Sequence, residues 1–144
     1  MKLNKAAILI KKAALEFDKI SNAVLEQYDL TTAQYKVMKY LYEESENGVR
    51  IVDLERVYSI SHPTAIGIVQ NLEKKGLITY QENPSNARSR FIMPTARAKE
   101  LRGELEAVGD ELEAELTKNL SEKERQRLVA LLIKMMGLRE EDLS

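Results

Sequence analysis

Side chains suited to recognising a polar partner cluster in one stretch of this sequence. Ser61, His62 and Thr64 flank Pro63; Gln70, Asn71 and Lys74 follow; Arg88 and Arg90 come later. The amides of Gln70 and Asn71 each place a donor beside an acceptor, the pairing that adenine presents in a duplex groove, while Lys74 and Arg90 suit phosphate. Covalent chemistry has no comparable set. Cys is absent, which removes thiolate metal sites, disulfides and cysteine-based redox sensing together. His62 is the only histidine, and no Ser, Asp and Cys arrangement surrounds it, so it reads as a polar contact near a helix start. The acidic run from Glu104 to Glu115 lacks metal-loop spacing and is a solvated helix face. With no nucleophile and base, no glycine-rich phosphate loop and no metal cluster, the sequence gives no support for an enzyme, a metal or a cofactor.

The residues that position this stretch follow a clear order. Leu3, Ala7, Ile10, Ala14, Phe17, Ser21, Val24 and Tyr28 alternate in spacings of four and three, one stripe of a long helix, and Ala13, Leu15 and Leu25 widen it toward a second packing partner. Thr31 and Gln34 have capping-box spacing ahead of a second helix through Tyr35, Val37, Met38, Leu41 and Tyr42, ended by Asn47-Gly48. A short third helix spans Ile51 to Val57. Ser61 then caps a fourth, with Pro63 in its first turn, where a missing N–H costs nothing. On that helix Ala65, Ile68, Val69 and Leu72 share one side. Pro63, Gly67, Gln70 and Lys74 share the other, with Thr64 and Asn71 beside them. Gly76 stops it. Leu77 to Tyr80 is a strand, Asn83 to Asn86 a turn, and Arg88 to Met93 the returning strand of a hairpin. Thr95 caps a fifth helix bearing Leu101, Leu105, Val108, Leu112, Leu116 and Leu120, weakened locally by Gly103 and Gly109. Ser121 and Glu124 open a sixth, with Leu128, Leu131, Leu132, Met135 and Leu138.

Composition sets the frame for these elements. The chain has 144 residues, 44% hydrophobic and 31% charged, which suits one globular unit with a real core. No apolar run reaches a membrane span, and the charged start has no small-residue cleavage site, so the expectation is a cytoplasmic protein. The net charge is only −1, yet from Arg50 to Arg90 six cations face four acids, +2, leaving −3 for the rest. That sign favours the middle of the chain as the surface for a polyanion.

A short helix, a tight polar turn, a helix with one free face and a hairpin make a winged helix-turn-helix, whose second helix fits the major groove. The residues resemble the MarR (multiple antibiotic resistance regulator) family from about Leu30 to Leu101. Three stretches carry the resemblance, in order. Leu30-Thr31-Thr32-Ala33-Gln34 looks like the family's opening of its second helix. Ile60 to Thr64, continuing through Leu72-Glu73-Lys74-Lys75-Gly76-Leu77-Ile78, looks like its recognition helix and following strand. Asn86-Ala87-Arg88, with Thr95 beyond, looks like its Asp-x-Arg wing motif and the start of the next helix.

The resemblance implies a mainly α fold with a small β-hairpin wing (α+β). Residues 1–144 would form a single domain, with 31–94 the winged helix-turn-helix and 1–29 and 95–144 the helices of a homodimer. It implies a transcriptional repressor on a pseudo-palindromic operator in double-stranded DNA, touched by Ser61, His62, Pro63, Thr64, Gly67, Gln70, Asn71, Lys74, Arg88 and Arg90. It further implies a small phenolic or aromatic effector in a cleft lined by Phe17, Tyr28, Tyr35, Met38 and Tyr42. Residue stripes of that kind are also what a core produces. The competing reading is a winged-helix module that binds protein and not DNA.

Three departures from the family pattern matter. Asn86 replaces the usual wing Asp, so it either frees Arg88 or orients it by a neutral hydrogen bond. Gly67 stands mid-helix where a polar or basic residue is usual, either for close backbone approach or by simple tolerance. Glu55 replaces a small apolar residue of the third helix, which puts the packing of that helix in question.

Overall fold

The computed structural model describes residues 4–143, so Leu3, the first position of the N-terminal stripe, lies outside them. The order is α1 (Ala6–Glu26), α2 (Thr32–Glu44), a 3-10 turn (Ser45–Asn47), α3 (Ile51–Tyr58), α4 (His62–Lys74), β1 (Ile78–Gln81), β2 (Phe91–Pro94), α5 (Ala96–Leu116) and α6 (Glu122–Met136), then a last 3-10 turn (Glu140–Asp142).

Helix starts lie where side-chain oxygens meet otherwise unpaired N–H groups. Thr31 and Gln34 form a reciprocal box at α2, as do Ser121 and Glu124 at α6, and Ser61 and Thr95 accept from Thr64 and Ala98 at α4 and α5. Helix ends share a second device. Asp29, Ser59, Gly76 and Gly137 sit in the left-handed region. The N–H beyond each reaches back five residues: Leu30 to Leu25, Ile60 to Glu55, Leu77 to Leu72 and Leu138 to Ile133. In every case the donor is an apolar residue tucked against its own helix.

The main core joins α2, α3, α4, the hairpin and the start of α5. Met38, Leu41, Leu54, Val69, Leu72, Ile92 and Ala98 are fully buried within it. A smaller cluster, Val24 and Leu25 against Val108 and Leu112, fastens α1 to α5, with Tyr28 and Tyr35 touching both clusters. The strands pair antiparallel, Ile78 opposite Pro94 and Gln81 opposite Phe91, and Val49 adds a bridge to Ile92.

Three sequence expectations shift. The returning strand starts at Phe91, not Arg88, because the chain turns twice first: Asn83 Oδ1 accepts from the Ser85 N–H, and Asn86 Oδ1 accepts from the Arg88 N–H. Arg88 and Arg90 therefore lie on the wing loop. Leu120 falls beyond the end of α5, and α6 buries none of its residues within this chain. Leu9, Ile10 and Phe17 of α1 and Leu128, Val129, Leu131, Met135 and Met136 of α6 stay exposed.

Candidate nucleic-acid interface

The fourth helix divides as its sequence predicts. Ala65, Val69 and Leu72 are buried and Ile68 is partly so, while Pro63, Thr64, Gln70, Asn71 and Lys74 are exposed. Pinning the inner face to the core holds the outer face at fixed height and rotation, a requirement for reading base edges. Gly67 lies on that outer side, and a Cβ added there would meet nothing within 4 Å, so no contact inside the protein demands glycine.

The start of α4 is tightly organised. Ser61 Oγ accepts the Thr64 N–H at 3.3 Å and donates to Thr64 Oγ1 at 2.9 Å, which ties both hydroxyls to one another. His62 Nδ1 lies 2.9 Å from Glu55 Oε2. Glu55 thus does not disturb the packing of α3, which the fully buried Leu54 carries with the partly buried Ile51 and Tyr58; Glu55 turns instead toward the first residue of α4.

A cleft of about 380 Å³ opens between α3, α4 and the wing, with His62, Gln70, Arg88 and Arg90 on its walls beside Glu55 and Tyr80. Four of the ten candidate contacts thus meet in one place. Ser61, Pro63, Thr64, Gly67, Asn71 and Lys74 lie along α4 outside this cleft.

The charges of the region are sorted by the fold. Arg50 and Arg56 both pair with Asp53, at 3.2 and 2.5 Å. Burial pushes the Asp53 carboxyl up, but hydrogen bonds from the Arg50 backbone and side chain and the charges of Arg50 and Arg56 outweigh it and hold the group below the usual range. Lys75 turns inward, donating to the Asp29 carbonyl and, at 2.8 Å, to Gln34 Oε1. Arg97 donates to the Lys75 carbonyl and Thr95 to that of Gly76, so the far end of α4 is lashed to the α1–α2 corner and to α5. Among the described residues, Lys74, Arg88 and Arg90 are the cations between residues 50 and 90 left without an ion-pair partner. Arg90 lies over the Tyr80 ring, 4.1 Å from its centre. Asn86 shapes the loop through the Arg88 N–H and has no hydrogen bond to its guanidinium.

Sequence reasoning passed over Tyr80, Lys75 and the pairing of Arg50 and Arg56. The i, i+3 spacing on either side of Asp53 was a usable signal for that pairing; Tyr80 and Lys75 carried none. The five aromatic and methionine positions are dispersed. Met38 and Tyr42 belong to the main core, Tyr42 donating to the Ala98 carbonyl. Tyr28 and Tyr35 sit between the two clusters, and Phe17 is exposed on α1.

The arrangement has close counterparts among known proteins. A family model described as the MarR family matches residues 28–89, the span that holds α2 to the wing. Over that span the chain is similar to the MarR family. Across 109 residues it is 28% identical to the transcriptional regulator HosA of Escherichia coli O111:H-, covering 76% of this chain and 79% of that protein. MepR, a transcription regulator of the Staphylococcus aureus multidrug efflux pump MepA, superposes with a TM-score of 0.81 at 28% identity, over 92% of this chain and 97% of that one. Wild-type MarR of E. coli in its apo form gives 0.77 at 26% identity, over 94% and 98%. The likeness extends beyond the span of the family model, since these structures cover 92% and 94% of this chain. HosA and MepR are both transcriptional regulators.

Proposed function

We propose that this chain is a MarR-family transcriptional regulator that binds double-stranded DNA as a homodimer, with α4 in the major groove and the wing against the adjoining backbone, and represses transcription by occupying its site. The observation that carries this reading is the cleft that brings Gln70 of the free side of α4 together with the unpaired cations Arg88 and Arg90, with unpaired Lys74 exposed farther along α4. Relatives solved on DNA, MepR and an E. coli MarR mutant on operator DNA, support it, each at 28% identity. Residues 31–94 are the DNA-binding part, and residues 1–29 and 95–144 the dimerisation part. The exposed apolar faces of α1 and α6 are what a second copy would cover, and two-fold pairing would set half-sites about 10 bp apart.

The same reading includes a small aromatic effector between the two parts. Its support is the Tyr35 hydroxyl, buried without a hydrogen-bond partner where α2 meets the α1–α5 cluster. Burial first, and the charge of Glu106 second, push this phenol above its ordinary value.

The deciding experiment is a footprint on duplex drawn from a random pool, followed by titration at several salt concentrations. Protected half-sites about one turn apart and a steep fall of affinity with salt are expected. Affinity indifferent to salt, or no duplex retained at all, would instead favour a module that binds protein.

A further inference from the structure

We infer that Glu55 is a specificity-determining residue, which fixes the imidazole of His62 so that Nε2 alone is offered to the major groove. The inference rests on the DNA reading above and goes beyond it by giving the hydrogen-bonding sense of one contact. Glu55 is itself well anchored: its carbonyl accepts the N–H groups of Ser59 and Ile60, which cap α3, and its side chain is only 23% exposed. His62 is the first residue of α4, set between the Ser61 cap and Pro63, with a side chain 62% exposed. The 2.9 Å contact therefore joins two fixed points, one on each helix of the helix-turn-helix.

An ionised carboxylate can only accept, so Nδ1 must carry a hydrogen. In the neutral ring Nε2 is then a bare acceptor, and it has no hydrogen-bond partner among the described residues. An acceptor held over the groove pairs with the amino groups of adenine or cytosine and faces repulsion from guanine O6 or thymine O4. The charged and titratable groups around the cleft are Arg50 and Glu55 from α3 and Tyr80, Arg88 and Arg90 from the wing, so Glu55 is its sole carboxylate. Without Glu55 the ring would exchange tautomers and either sense would be available.

Because His62 is the only histidine, its ring nitrogens can be observed alone in a nitrogen-15 spectrum of the full chain. In the neutral ring the Nδ1–H tautomer is expected, and Glu55→Ala should lose that tautomer bias. In parallel, a duplex selected by the wild-type protein would be varied one position at a time. One position per half-site should favour adenine or cytosine about fivefold, the worth of one hydrogen bond. Glu55→Ala should flatten the preference at that position alone. Glu55→Gln, isosteric and uncharged, serves the same comparison should the alanine variant not fold. An Nε2–H tautomer in the wild type, or unchanged base preference in the folded variant, overturns the inference. Failure of the wild type to bind any duplex overturns the DNA reading instead.

Discussion

Arg90 is stacked on Tyr80 across the mouth of the wing, its guanidinium carbon 4.1 Å from the ring centre. Arg88, two residues earlier, has no comparable support, although it is the arginine that matches the family's wing motif. The two cations should therefore behave differently. Tyr80→Ala is expected to weaken duplex binding two- to fivefold, the loss of a cation–π contact of about 0.5–1 kcal/mol. Tyr80→Phe, which keeps the ring, should leave affinity near wild type in a gel-shift titration; equal losses from both would deny the stack its role.

Removing either cation should lower the slope of log affinity against log salt by about two, the signature of one phosphate contact from each protomer of the dimer. Asn86→Ala, which deletes the acceptor for the Arg88 N–H, is expected to leave that slope unchanged while reducing affinity, because the cation remains but its loop loosens. A slope altered by Asn86→Ala would mean that Asn86 touches the duplex itself.

Gly67→Ala separates folding from function. Alanine there meets no neighbour and improves helix propensity by about 1 kcal/mol, so melting should rise by a few degrees. Duplex affinity should fall if the backbone of α4 approaches DNA closely at this point. A rise in melting temperature with affinity intact would show that the glycine is merely tolerated.

Tyr42 links stability to alkaline pH. Burial pushes its phenol up, Arg102 draws it partly back and Glu106 adds to the rise, which reaches about 12. The phenol of the unfolded chain ionises near 10. Between about pH 10 and 12 the folded protein thus holds the extra proton, so stability is intact below that window and falls as pH rises through it, by on the order of 2–3 kcal/mol. Tyr42→Phe should cost about 1 kcal/mol at neutral pH through the lost bond to the Ala98 carbonyl. It should also flatten the alkaline decline, as thermal melts across this range would report.

Leu131→Glu places a charge on the exposed apolar face of α6 without touching the core of the chain. Sedimentation should show a monomer that keeps its helical content. Duplex affinity should drop roughly 100-fold, since two half-sites would no longer be bound as one. A dimer that persists would move the interface away from α6.

Much of this architecture was legible along the chain because its causes are local. The caps at Thr31, Ser61, Thr95 and Ser121 act within three residues of themselves, and the two-sided pattern of α4 repeats within one helical turn. What the tertiary structure alone decided is which of the polar residues remain available. Lys75 and Asp29 are 46 positions apart and meet only because the end of α4 packs on the α1–α2 corner. Tyr80 comes under Arg90 only because two asparagine turns delay the second strand to Phe91. Glu55 is an oddity in the sequence, and becomes the partner of His62 once the left-handed turn at Ser59 folds α4 back beside α3. A side chain's type follows from the sequence, but whether its charge is spent inside the protein depends on neighbours that only the packing of helices brings within reach.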